Sequence, residues 1–283
     1  MGMIAVFVVT FFSYHIGICI WQTTSSPNRT DDYYYEGPFG VDSWTDNYPM
    51  SQGFRQSPIN ITSSLTIEVP SGSWLVGKQP QISGGPLTSQ YIFQCLAFRW
   101  APGAEHSFNY ERSDLEAQLI FLREGVQNLT EASSCNRRES MVILSYCYNI
   151  TPVSNPFLEH VIRGLSNIVL PHSLCEIEPR PISWIAPSFN SDYYCYKGSL
   201  TFPPCAEIVI WILQPEPLGI SQEQLFKFKQ LQNNLGHTMA CHSRPLQSIN
   251  DREIRTKISP LGVMHTRKLE YVYEILWLWK ICA

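Results

Sequence analysis

Tyr91 to Trp100 reads YIFQCLAFRW, and this stretch decides the fold class. Its aromatic and aliphatic residues favour an extended backbone, and a Gly-Gly-Pro turn segment at 84–86 leads into it. Working outward, Glu116–Arg123, Met141–Ile150 and Ala206–Leu213 have the same character and are separated by Gly, Pro and Asn. Only two segments read as helices. In Asn155–Val169, Pro156 suits a first turn, and Phe157, Leu158, Val161, Ile162, Leu165, Ile168 and Val169 share one face. In Ser221–Leu231, Ser221 and Gln224 have capping-box spacing ahead of Leu225, Phe228 and Leu231. The expectation is a mainly β chain with a few short peripheral helices.

The 283 residues suffice for one large domain with a core of its own. A hydrophobic content of 44% excludes a disordered chain. Lys and Arg are scattered and the net charge is −4, so no nucleic-acid partner is expected.

The first 21 residues hold no Asp, Glu, Lys or Arg and one histidine, His15, and Met3–Phe12 is apolar throughout but for Thr10. They read as a signal peptide or, alternatively, a signal anchor; a membrane association is expected only in the second case. Residues 22–34 read as a flexible polar segment, 35–261 as the folded domain and 262–283 as a C-terminal tail. Four N-x-[ST] sequons, at Asn28, Asn60, Asn128 and Asn149, fit a secreted, extracellular glycoprotein. Beyond Cys19 in the leader, eight cysteines remain as disulfide candidates: Cys95, Cys135, Cys147, Cys175, Cys195, Cys205, Cys241 and Cys282. An even number suits an oxidising compartment, and the connectivity stays open.

Several blocks carry a family resemblance. They are Tyr35-Glu36-Gly37, Trp44, Tyr48-Pro49 and Gln56-Ser57-Pro58-Ile59-Asn60-Ile61; then Ser83-Gly84-Gly85-Pro86-Leu87 leading into Tyr91–Trp100; then Glu105-His106. Gly198-Ser199-Leu200-Thr201-Phe202-Pro203-Pro204, Trp211, Ser221–Gln224 and Arg244-Pro245-Leu246-Gln247 with Asn250 and Arg252 complete the set. In this order, over roughly 220 residues, the chain resembles the α-class carbonic anhydrases. The resemblance implies a large, twisted, mostly antiparallel sheet with short helices around it. Between Ser57 and Gly84 the chain falls short of the family length by about 25 residues, enough for one to three strands. It also implies a cysteine where Ser51 stands, as the partner of Cys205 in secreted members.

Working members hold zinc with three histidines. Two stand at i and i+2 on a strand, where alternate side chains share a face, and the third comes from the next strand. The metal lowers the pKa of a bound water to about 7 so that hydroxide attacks carbon dioxide. Aligned here, those positions carry Ala97, Arg99 and Gln118. Ala97 has no donor atom, Arg99 is a permanent cation, and Gln118 offers an amide oxygen, a weak zinc ligand beside imidazole. Thr201, Glu105 and Glu116 match residues that surround the metal site in active relatives, and His106 matches a structural position. His15, His160, His172, His237, His242 and His265 form no H-x-H or H-x3-H pair and are expected to be structural or superficial. With the carboxylates kept and the metal ligands gone, Arg99 is expected to reach Glu105 or Glu116.

The expected function is that of a non-catalytic carbonic-anhydrase-related binding module without cofactor, a pseudoenzyme of that lyase family. Its partner would be an extracellular protein of unknown identity, or a small anion in a cleft lined by Leu200, Phe202, Ile120 and Trp211 above Arg99. One alternative is a zinc-dependent carbonate dehydratase, the only reading that calls for zinc. A second is a degenerate or spliced product without activity.

Overall fold

The computed structural model describes residues 6–12, 15–21, 33, 35–37, 40–62, 66–68, 81–134, 137–170, 173–177, 184–187, 193–232, 236–238 and 242–257. In chain order the first elements are β1 (Val6–Phe12), β2 (His15–Trp21), α1 (Trp44–Asn47), β3 (Asn60–Ile61), β4 (Thr66–Glu68) and β5 (Gln81–Ile82). Next come β6 (Tyr91–Arg99), β7 (Ser107–Phe108), β8 (Glu111–Arg112), β9 (Leu115–Arg123), α2 (Leu129–Ser134) and β10 (Met141–Thr151). The last are α3 (Glu159–Leu165), β11 (Leu174–Ile177), β12 (Tyr193–Gly198), β13 (Val209–Leu213), β14 (Leu218–Ser221), α4 (Gln222–Lys229) and β15 (Ile254–Lys257).

A nine-stranded sheet in the order β4-β15-β12-β13-β10-β9-β6-β5, with β14 beside the end of β10, organises the chain. Most of its ladders are antiparallel, while β10–β13, β10–β14 and β15–β4 are parallel. It is a large, mostly antiparallel, mixed sheet with few short helices, as expected. The segment where strands were expected to be missing contains β3, β4 and β5, and its residues 63–65 and 69–80 lie outside the described residues.

Both faces of the sheet are covered. One carries Leu96, Phe98, Leu119, Phe121, Val142, Leu144, Ile210 and Ile212, against which Val161, Leu165, Leu225 and Phe228 of α3 and α4 pack. The other carries Cys95, Ala97, Ile120, Leu122, Met141, Ile143, Val209 and Trp211. Strands buried on both faces read as continuous apolar runs, which is why YIFQCLAFRW lacks clean alternation. A bulge between Phe93 and Cys95 inserts one residue on β6. It shifts the side-chain parity, so Tyr91 and Phe93 share a face with Leu96 and Phe98. Ala97 and Arg99 are thereby turned toward the second face.

The second helix keeps its signature: Ser221 Oγ accepts from Gln224 N–H at 3.2 Å and Gln224 Oε1 accepts from Ser221 N–H at 3.2 Å. The first is shorter than the expected 155–169. Asn155 Oδ1 accepts from Phe157 N–H at 3.0 Å and its Nδ2 donates to the Gly219 carbonyl at 2.8 Å, a local turn that delays the helix to Glu159. Likewise the strand expected at Ala206 begins at Val209, because the Ala206 carbonyl accepts from Leu200 N–H in a turn.

Within the expected leader, β1 and β2 form an antiparallel pair whose second strand joins β11. Their β-branched and aromatic residues favour extended backbone. A leader acts before folding, so this pairing leaves the export expectation where it stood. From the segment 22–34 only Tyr33 is described, and it is buried against Trp44, with ring centroids 5.6 Å apart. The tail 262–283 lies outside the described residues.

Candidate functional site

Ala97 pairs directly with Gln118 across the β6–β9 ladder, and Arg99 pairs with Glu116. Alternate residues of a strand share a face, so these four side chains converge on one patch, and none is more than 2% exposed. The loop after Trp100 returns Glu105 and His106 over it, and the loop after β12 brings Thr201.

Glu116 is saturated. Its Oε2 accepts from the backbone N–H groups of Glu105 (2.8 Å) and His106 (2.9 Å). Its Oε1 meets His106 Nδ1 at 3.0 Å, Gln118 Nε2 at 3.0 Å and Ser145 Oγ at 2.8 Å. Burial pushes its pKa up, but the adjacent His106 and these donors outweigh burial and bring it to about 2. His106 plays the structural part expected of it: its Nε2 meets Tyr196 Oη at 2.7 Å, and that hydroxyl donates to Ser57 Oγ at 2.9 Å.

Glu105 is served differently. Its Oε2 accepts from Thr201 Oγ1 at 2.7 Å and from Gln118 Nε2 at 2.9 Å. Gln118 therefore spends its amide on both carboxylates, bridging Glu105 and Glu116. Arg99 Nε stands 3.4 Å from Glu105 Oε2. Nε, Nη1 and Glu105 Oε1 have no hydrogen-bond partner, so the Arg99–Glu105 pair is held by charge rather than by aligned donors. Burial opposes the charge on Arg99, and Glu105 first, then Tyr35, Tyr33 and Glu116, more than offset it. Its Cζ lies 5.8 Å from the centre of the Phe202 ring. The expected reach of Arg99 is thus to Glu105.

Ile120, Leu200 and Trp211, expected with Phe202 to line a cleft, lie together on this face as core residues, and half-buried Phe202 packs against them. His242, expected to be structural or superficial, has a structural place beside this patch. His242 is buried, its ring 4.2 Å from that of Trp100, and its Nε2 accepts from Trp100 N–H at 3.3 Å. Burial and then the charge of Arg99 hold its pKa well below the imidazole range, so it is neutral.

Zinc needs lone pairs directed at one point. Ala97 supplies none, Arg99 brings a positive charge, and Gln118 has its amide turned to two carboxylates. Among the described residues no cluster of three or more His, Cys, Asp or Glu is arranged to hold a metal ion. The residues at these positions do not fit zinc.

The structure places only some of the candidate cysteines and sequons. Cys95, Cys147, Cys195 and Cys205 are free thiols, and the described residues contain no disulfide. Cys95 and Cys195 belong to cores on opposite faces of the sheet, Cys147 is buried beside Glu116, and Cys205 packs under Tyr33, Tyr35 and Trp44. Asn167 Nδ2 lies 3.3 Å from Cys175 Sγ; Cys135, Cys241 and Cys282 lie outside the described residues. Of the sequons, Asn128 and Asn149 are exposed and Asn28 lies outside the described residues. Asn60 is buried, which sets it against glycan attachment in the folded chain.

Residues 64–258 match the family model of eukaryotic-type carbonic anhydrases. The chain belongs to this family. It is similar to carbonic anhydrase 4 of Oryctolagus cuniculus, 26% identical over 247 residues that make up 76% of this chain and 79% of that protein. A putative carbonic anhydrase 5 of Caenorhabditis elegans is 31% identical over 190 residues, 65% of this chain and 60% of that protein. Carbonic anhydrase 1 of Monodelphis domestica is 28% identical over 227 residues, 70% of this chain and 85% of that protein. Within the carbonic anhydrase fold, then, the two-strand patch of Ala97, Arg99 and Gln118 is the candidate site. No helix among the described residues is long and apolar enough to cross a membrane.

Proposed function

We propose that this carbonic anhydrase homologue is an exported, non-catalytic binding module in which a guanidinium takes the place of the metal ion. One observation carries the reading: Arg99 stands beside Glu105, on the strand positions that resemble a zinc-binding pair, while Gln118 caps both carboxylates. A buried carboxylate without a cation is costly, and Arg99 supplies the compensating charge from within the chain. The partner is an extracellular protein or a small anion. The leader and the exposed sequons at Asn128 and Asn149 support export.

The rival reading, a zinc-dependent carbonate dehydratase, follows from family membership alone. Zinc content of the purified, tag-free chain together with a carbon dioxide hydration assay decides between them. The expected result is no stoichiometric zinc and hydration at the uncatalysed rate; near-stoichiometric zinc with accelerated hydration overturns the proposal. A degenerate product without any role would instead show poor secretion and non-cooperative unfolding.

A further inference from the structure

Asn60 opens the sequon Asn60-Ile61-Thr62, yet in the fold it acts as a strut. The residue is 8% exposed, and its Oδ1 accepts from Ser107 Oγ at 2.8 Å and from Tyr110 N–H at 2.7 Å. What it holds is strained. β7 and β8 are joined by Asn109 and Tyr110, both left-handed, with φ of 49° and 67°. This is the backbone of a two-residue hairpin turn that favours glycine in second place. Tyr110 is 80% exposed, so little ring packing offsets the strain. The bond from Tyr110 N–H to Asn60, and that from Asn109 N–H to the Ile61 carbonyl at 2.8 Å, hold the turn instead. Thr62 Oγ1 is also enclosed, without a hydrogen-bond partner.

N-glycosylation requires the opposite. Asn60 Nδ2 would attack the anomeric carbon of a lipid-pyrophosphate-linked oligosaccharide. The N–C bond forms, the C–O bond to pyrophosphate breaks with its electron pair leaving on the pyrophosphate, and Nδ2 gives up one proton. The transferase must reach both this nitrogen and the hydroxyl of the third residue. We infer that Asn60 is a folding-gated modification site: a chain whose β3–β7–β8 unit has closed excludes the transfer, and a chain glycosylated at Asn60 cannot close it. The occasion for transfer rests on the export reading; the exclusion rests on geometry alone.

The test uses the full chain behind a strong borrowed export leader, translated with glycosylating microsomes, and follows chains that carry the glycan at exposed Asn128. Occupancy of Asn60 is read by mass spectrometry, separately for protease-resistant and protease-sensitive chains. The expected result is a glycan at Asn60 in the sensitive chains and its loss from the resistant ones. Thr62→Ala, which removes the sequon and an unsatisfied hydroxyl but leaves the Oδ1 bonds, enlarges the resistant fraction. Asn60→Asp, which keeps an acceptor, retains that fraction, and Asn60→Ala depletes it. A glycan at Asn60 in resistant chains, or at Asn60 in neither fraction, overturns the inference. Failure of the export reading shows differently: the chain with its own leader then carries no Asn128 glycan while the borrowed leader delivers it.

Discussion

Arg99 Nε lies 3.4 Å from Glu105 Oε2, and both side chains are withdrawn from solvent. Removing either partner of such a pair strands the other charge in a medium that solvates it poorly. Arg99→Ala is therefore expected to cost about 3–5 kcal/mol, read as the shift of the urea unfolding midpoint. The double variant Arg99→Ala with Glu105→Gln recovers part of that loss. A parent-like midpoint for Arg99→Ala would show that the pair contributes nothing.

The ladder places 97 and 99 on one face and 118 opposite 97, so the geometry for three converging ligands survives. Ala97→His, Arg99→His and Gln118→His combined are expected to bind about one equivalent of zinc per chain, since three imidazoles plus an open position make a tetrahedral site. Arg99→His alone is expected to bind none. A folded triple variant without zinc by metal analysis would mean that the three positions do not converge.

Glu116 makes stability depend on acid. Its folded pKa of about 2 lies below the ordinary glutamate value of about 4.3. A depressed carboxylate stabilises fully above the unfolded pKa and loses that contribution as pH falls through the folded one. Between about pH 5 and pH 2 the chain is expected to lose on the order of 3 kcal/mol through this group. Unfolding curves of Glu116→Gln across that window should be flatter than the parent's, from a lower starting stability.

Gln56 ties the loop of Ser51 to that of Cys205. Gln56 Nε2 donates to the Met50 carbonyl at 2.9 Å and to the Cys205 carbonyl at 3.3 Å, bringing the two loops side by side, and both residues are buried. Ser51→Cys is expected to form a disulfide with Cys205 under oxidising conditions. The chain-entropy gain has a ceiling of about 5 kcal/mol, reduced by any strain. Mass spectrometry of the non-reduced protein and a midpoint shift reversed by reductant check it.

Gly198 admits no side chain. A Cβ there would stand 2.2 Å from Ser57 Oγ, which also accepts from Tyr196 OH and Ser199 N–H. Gly198→Ala is expected to destabilise by about 1–3 kcal/mol in thermal or urea unfolding.

The pairing of positions 97, 99 and 118 was legible because strand alternation is a local rule and the flanking blocks fixed the alignment. So was the capping box at Ser221, which lies within four residues. The bulge before Cys95 was not legible: no residue type there demands it, and its effect is to swap the two faces of a run that is apolar on both. The place of His242 stayed hidden because its contact with Trp100 spans 142 positions, and a lone histidine carries no spacing signal. The even number of cysteines carried no word on placement: Cys95 and Cys195 lie in cores on opposite faces of the sheet, which no count can tell. At Asn60 the sequon was plain in sequence while the hydrogen bonds that enclose it depend on a hairpin some fifty positions away.

The cation at the base of the β6–β9 patch is covalently part of the polypeptide. A bound ion has a dissociation constant; it responds to chelators, to dilution and to whatever the surroundings supply. Arg99 has none of these dependencies, because it is installed at synthesis and stays ionised at any pH the chain survives. A charge held in this way is permanent, whatever the environment supplies. Growth in metal-depleted medium should leave its yield and unfolding midpoint untouched.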